Sequence, residues 1–101
     1  MTSEKHLQTY LFKQAKANSI YCRKMAAVGR RGFPDVFLAY NGYTIFLELK
    51  SPTGEGKLSP LQVREIEQMR MAGVGVWVIN QKEQVDAIIR ELVDPHSRYF
   101  N

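Results

Sequence analysis

Two periods of apolar and polar residues run through the chain, and each change of period marks the end of one predicted element. From about residue 3 to 17, Leu7, Tyr10, Leu11 and Ala15 recur at the spacing of one helix face, with Ser3 placed to cap it. Residues 20–25 predict a short strand. The loop "AVGRRGFP" follows, and its glycines, Gly29 and Gly32, let the backbone bend closely around a ligand. Next come two runs rich in β-branched and aromatic residues, joined by Asn41-Gly42, the signal for a two-residue type I′ hairpin turn. After the turn-forming "SPTGEGK", a second helix has Ser59 as N-cap, Pro60 at its first position, Gln62 completing a capping box and Gly73 just past its end. Its apolar face is diffuse. Residues 74–80, "VGVWVIN", are a continuous apolar run following a helix, which predicts a parallel strand beside the second hairpin strand, reached by a right-handed crossover. In the last helix, about 81–93, Val85, Ile88, Ile89, Leu92 and Val93 form one apolar stripe, and Asp94-Pro95 stops it. The order α-β-β-β-α-β-α predicts an α/β fold, a mixed four-stranded sheet with flanking helices.

The hairpin contains a conflict. If Asn41 and Gly42 alone form the loop, Tyr40 faces Tyr43, and the same register brings Asp35 opposite Glu48. Lys50 follows two residues later on the same face, while Tyr43, Ile45, Leu47 and Leu49 form the apolar face. Two carboxylates directly across a sheet repel one another. Such a breach in an otherwise consistent segment is where function is to be sought.

A chain of 101 residues, 45% hydrophobic and 24% charged, is expected to form one domain over residues 1–101. Its single cysteine, Cys22, lies beside Ile20 and Tyr21 and reads as a core thiol in a reducing compartment. Glu4, Lys5, His6, Lys13 and Lys16 interrupt the N-terminal apolar residues, which argues against a signal peptide or a membrane span and for a cytoplasmic protein, in the host cell if viral. The net charge is +4, and Lys13, Lys16, Arg23, Lys24, Arg30 and Arg31 crowd the first third. This permits a phosphate-bearing partner without showing one, because basic residues also simply solvate a surface.

"PD" opening one strand and "ELK" closing the next, on elements in this order, resemble the PD-(D/E)XK nuclease superfamily and its restriction-endonuclease-like core. Glu4, the glycine-rich approach from Gly29 to Gly32, Pro34-Asp35, Glu48-Leu49-Lys50 and "GKLSPLQ" together are similar to the VRR-NUC family, in its compact stand-alone virus-type form. The similarity runs from Glu4 to about Val93. It implies a metal-dependent endonuclease. Asp35, Glu48 and the backbone carbonyl of Leu49 would bind Mg²⁺ or Mn²⁺, with Glu4 joining directly or through water. Lys50 would orient or help deprotonate the attacking water, and Gln62 would support it from the second helix, although its capping role already accounts for that residue. Arg30, Arg31, Lys13 and Lys57 would hold phosphates.

The expected partner is branched DNA, a four-way (Holliday) junction cut by a homodimer, because one such site cuts one strand and resolution needs two. The second helix, where Met69 and Met71 do not share one core face, and the Tyr99-Phe100 tail are its candidate contacts. No nucleotide cofactor is expected, nor zinc, since His6 and His96 lack paired ligand spacing. The alternative is a catalytically silent DNA-binding module of the same fold, against which the intact acids and lysine argue.

Overall fold

The structure, a computed structural model, describes residues 4–25, 32–51 and 57–96. Its elements are α1 (Glu4–Ala17), β1 (Tyr21–Lys24), β2 (Val36–Tyr40), β3 (Tyr43–Leu49), α2 (Pro60–Met71), β4 (Gly75–Ile79) and α3 (Lys82–Val93). The strands form one sheet in the order β1-β2-β3-β4. The first three are antiparallel neighbours, and β4 joins β3 in parallel after the α2 crossover.

The hairpin turn has the predicted geometry. Asn41 and Gly42 have φ of 49° and 88°, the two positive values a type I′ turn demands. The ladder accordingly runs from Tyr40 opposite Tyr43 to Val36 opposite Leu47. Because side chains alternate across a strand, this register sends Val36, Leu38, Ile45, Leu47 and Leu49 to one face, where all are buried.

That face is covered by α1 and α3. Leu7, Leu11 and Ala15 from α1 and Val85, Ile88, Ile89 and Leu92 from α3 close over it in a single cluster that also includes Cys22. The two helices are clasped to each other by the Tyr10 hydroxyl, which donates to Asp86 Oδ1 at 2.6 Å. Burial pushes the Cys22 thiol up to about 11, as fits a packing residue. No helix among the described residues is long and apolar enough to cross a membrane.

α2 lies on the opposite face and packs on β4. Its start is fixed by the capping box: the Gln62 amide donates to Ser59 Oγ at 3.1 Å, and Gln62 Oε1 accepts from the Ser59 amide at 2.9 Å. Its end is a Schellman-type turn through Gly73, φ 88°, with the Val74 amide donating back to the Met69 carbonyl at 2.9 Å. Only Ile66 of this helix is buried and Met71 is 88% exposed, in keeping with its diffuse apolar pattern.

Candidate active site

The site lies where β3 ends and β2 begins. Asp35 immediately precedes the first paired residue of β2, on the side of the sheet where α2 sits. Its Oδ2 accepts from the Leu49 amide at 2.9 Å, so the end of β3 holds the Asp35 carboxylate while the Leu49 side chain stays in the core. The Asp35 carbonyl accepts from the Met25 amide at 2.6 Å, which ties the same residue to the end of β1. Glu48 is the penultimate residue of β3 and only 1% exposed, a carboxylate as buried as the leucines around it.

Gln62 and Lys50 complete the arrangement. Gln62 Nε2 donates to Glu48 Oε2 at 2.9 Å, and Lys50 Nζ lies 3.4 Å from the same oxygen. Lys50 Nζ also donates to Gln62 Oε1 at 3.0 Å, which closes a ring of three side chains. Oε1 of the carboxamide serves both the lysine and the Ser59 amide, so the capping and site roles of Gln62 coexist.

The other Glu48 oxygen, Oε1, is buried and has no hydrogen-bond partner among the described residues. Burial and the neighbouring Asp35 charge raise the Glu48 carboxyl to about 7, with Lys50 acting in the opposite direction. An unsatisfied buried carboxylate oxygen beside a second acid calls for a positive partner, either a proton or a cation. Hard carboxylate oxygens suit Mg²⁺ or Mn²⁺, so the residues present fit a divalent ion of that class.

The remaining candidates are more dispersed. Lys57 is exposed and shares the lining of a recess of about 350 Å³ with Lys50, Ser51, Asn80 and Gln84. Lys13 is exposed on α1, across the sheet from α2. Glu4 is exposed at the start of α1, and among the described residues no three His, Cys, Asp or Glu side chains gather closely enough to hold a metal. Arg30, Arg31, Gly29, Ser3, Tyr99 and Phe100 lie outside the described residues. Gly32 bends closely, with φ 87°, but around α2: a Cβ there would meet the Leu61 carbonyl oxygen at 2.6 Å. Phe37 opposite Phe46 is a pairing overlooked beside the charges, although the same hairpin register contains it.

No protein-family model and no curated protein matches the sequence. Among solved structures the chain is similar to one described as a VRR_NUC domain, with 33% identity, a TM-score of 0.76, and coverage of 89% of this chain and 97% of that one. The three helices and mixed sheet therefore define a compact α/β domain of nuclease type. The chain belongs to the VRR-NUC family.

Proposed function

We propose that the protein is a divalent-metal-dependent endonuclease that hydrolyses phosphodiester bonds in branched DNA, resolving four-way junctions as a homodimer in the cytoplasm. The observation that carries this reading is Glu48 Oε1, a buried carboxylate oxygen with no hydrogen-bond partner among the described residues, next to Asp35. Asp35, Glu48 and the Leu49 carbonyl would hold the Mg²⁺ or Mn²⁺, with Glu4 joining directly or through water. Such an ion, when bound, neutralises charge on the phosphate and makes hydroxide available near neutral pH.

The chain's own groups do the rest. Gln62 Oε1 and Glu48 Oε2 aim the Lys50 ammonium, which orients the attacking water and stabilises negative charge as it develops. Hydrolysis is read as one step with water as nucleophile; Cys22, the only thiol, is buried with its pKa raised and offers no alternative. Lys57 extends the positive lining beyond Lys50, Arg30 and Arg31 supply further phosphate contacts, and Lys13, on α1, would meet only DNA that reaches the other face of the sheet. The dimer reading is supported by α2, which leaves Leu61, Val63 and Met71 exposed.

The test is cleavage of labelled linear, flapped and four-way-junction DNA with Mg²⁺ or Mn²⁺, with and without chelator. Asp35→Asn, Glu48→Gln and Lys50→Ala are each expected to slow cleavage by about a hundredfold or more while DNA binding in Ca²⁺ persists. Near-normal cleavage by either acid variant would remove the site assignment.

A further inference from the structure

The face that carries the acids also carries a row of aromatic rings leading from them to the sheet's β1 edge. Phe46 precedes Glu48 by two residues and so shares its face. Phe33 meets Phe46 edge-on, with centroids 5.7 Å apart at 83°. Phe37, opposite Phe46 in the ladder, lies 6.2 Å from it, and Tyr21 on β1 lies 5.6 Å from Phe37. At the outer end the Arg23 guanidinium sits 4.2 Å over the Tyr21 ring, held by a 2.8 Å hydrogen bond from Nη1 to the Cys22 carbonyl. The three phenylalanines are half-buried, Tyr21 is 52% exposed and Arg23 is exposed.

None of these rings belongs to the core cluster or packs against it. The core fills the other face, so among the described residues a row of partly exposed rings here has no evident packing task. The geometry points to a base-stacking platform: Tyr21, Arg23, Phe37 and Phe46 receive unpaired bases of a DNA strand whose phosphate lies at Asp35 and Glu48. The inference rests on the endonuclease reading and names its substrate class, DNA with unpaired nucleotides beside the cleaved bond.

Three considerations support it. Every base offers a π-face, so a ring platform accepts a strand without reading its sequence, and a guanidinium plane both stacks and attracts the backbone. A continuous duplex hides those faces, as do the paired arms of a four-way junction, so the platform engages bases that unpair where the junction opens. A second copy of the chain is a poorer occupant, because a two-fold contact through this end of the row would bring the Arg23 guanidinium of each copy toward its like-charged mate.

Tyr21 supplies the test, being an exposed strand residue whose replacement leaves the core intact. Binding of the full chain to labelled oligothymidine and to linear duplex is measured in Ca²⁺, which holds cleavage off. Tyr21→Leu is expected to weaken oligothymidine binding about tenfold and Tyr21→Trp to restore it, with duplex affinity and melting temperature unchanged. Equal losses on both DNAs, or no loss on either, overturn the platform alone. So does a Tyr21→Leu protein whose sedimentation shifts from dimer to monomer, which would give this face to a second copy. Wild-type protein that binds neither DNA overturns the platform, and failure to bind a four-way junction as well overturns the endonuclease reading with it.

Discussion

Glu48 holds a charge in a place where charge is costly, and its titration should be visible in the stability of the protein. Its carboxyl titrates near 7 in the fold, because of burial and the Asp35 charge, against an ordinary value of 4.5. Between those values the folded protein keeps a proton that the unfolded chain has released, so without metal, stability falls as pH rises through this window and levels off above it. Thermal melts in chelator from pH 4 to pH 8 are expected to show this decline in the wild type and much less of it in Glu48→Gln, which melts higher at pH 8. Parallel curves would mean that Glu48 is not the responsible group. At this scale the sequence was informative about one relation and silent on another. The opposition of Asp35 and Glu48 could be read because a two-residue turn dictates register over a short span. The near-total burial of Glu48 could not, since it depends on where α2 settles, and that follows from packing over β4 rather than from any local pattern.

The first turn of α2 has two duties that mutation can separate. Ser59 serves only the helix, whereas Gln62 serves the helix and also touches Glu48 and Lys50. Ser59→Ala is expected to cost about 1 kcal/mol of stability, as lost N-caps do, and to leave single-turnover cleavage close to wild type. Gln62→Ala should cost a similar amount and slow cleavage by about tenfold or more, because the Lys50 ammonium loses its guide. Denaturant titrations paired with cleavage rates separate the two effects, and equal rates for both variants would confine Gln62 to its capping role. The limits of α2 were plain in the sequence because Ser59, Pro60, Gln62 and Gly73 act through neighbouring backbone. Its contact face was not, since only Ile66 is buried and no stripe marks it. Strand ends shifted for a related reason: β1 was expected over 20–25 and pairs over Tyr21–Lys24, because a ladder stops where its partner does.

Across the whole molecule the sheet divides labour between its faces, with α1, α3 and the core on one side and the acids, α2 and the aromatic row on the other. The proposed dimer must therefore leave the second side open to DNA near the acids, which favours the outer surface of α2 as the contact. Sedimentation at micromolar concentration is expected to give a dimer, and Met71→Glu, a charge placed on an 88% exposed methionine, to give a folded monomer. That monomer should nick single strands without paired incision of a junction. A wild-type monomer with no preference for junctions over linear duplex would remove both the assembly and the junction assignment while leaving the metal site standing. Nothing local in the sequence could settle this, because Met69 and Met71, which do not share one core face, read nearly as well as packing as they do as a partner surface.

The tight turn at Asn41-Gly42 also bears on the order in which the chain comes together. Hairpins close in microseconds, whereas β4 can pair with β3 only after the whole crossover has been threaded and docked. Asp35 and Glu48 are near neighbours across that hairpin, so they meet early, before α2 can bring Gln62 to them. The repulsion between them is then met on the way to the native state as well as within it. Relief of that repulsion by a proton, or by the divalent ion of the proposed site, is expected to speed refolding as well as to stabilise its product, which stopped-flow refolding in chelator at pH 5 and pH 8 would show.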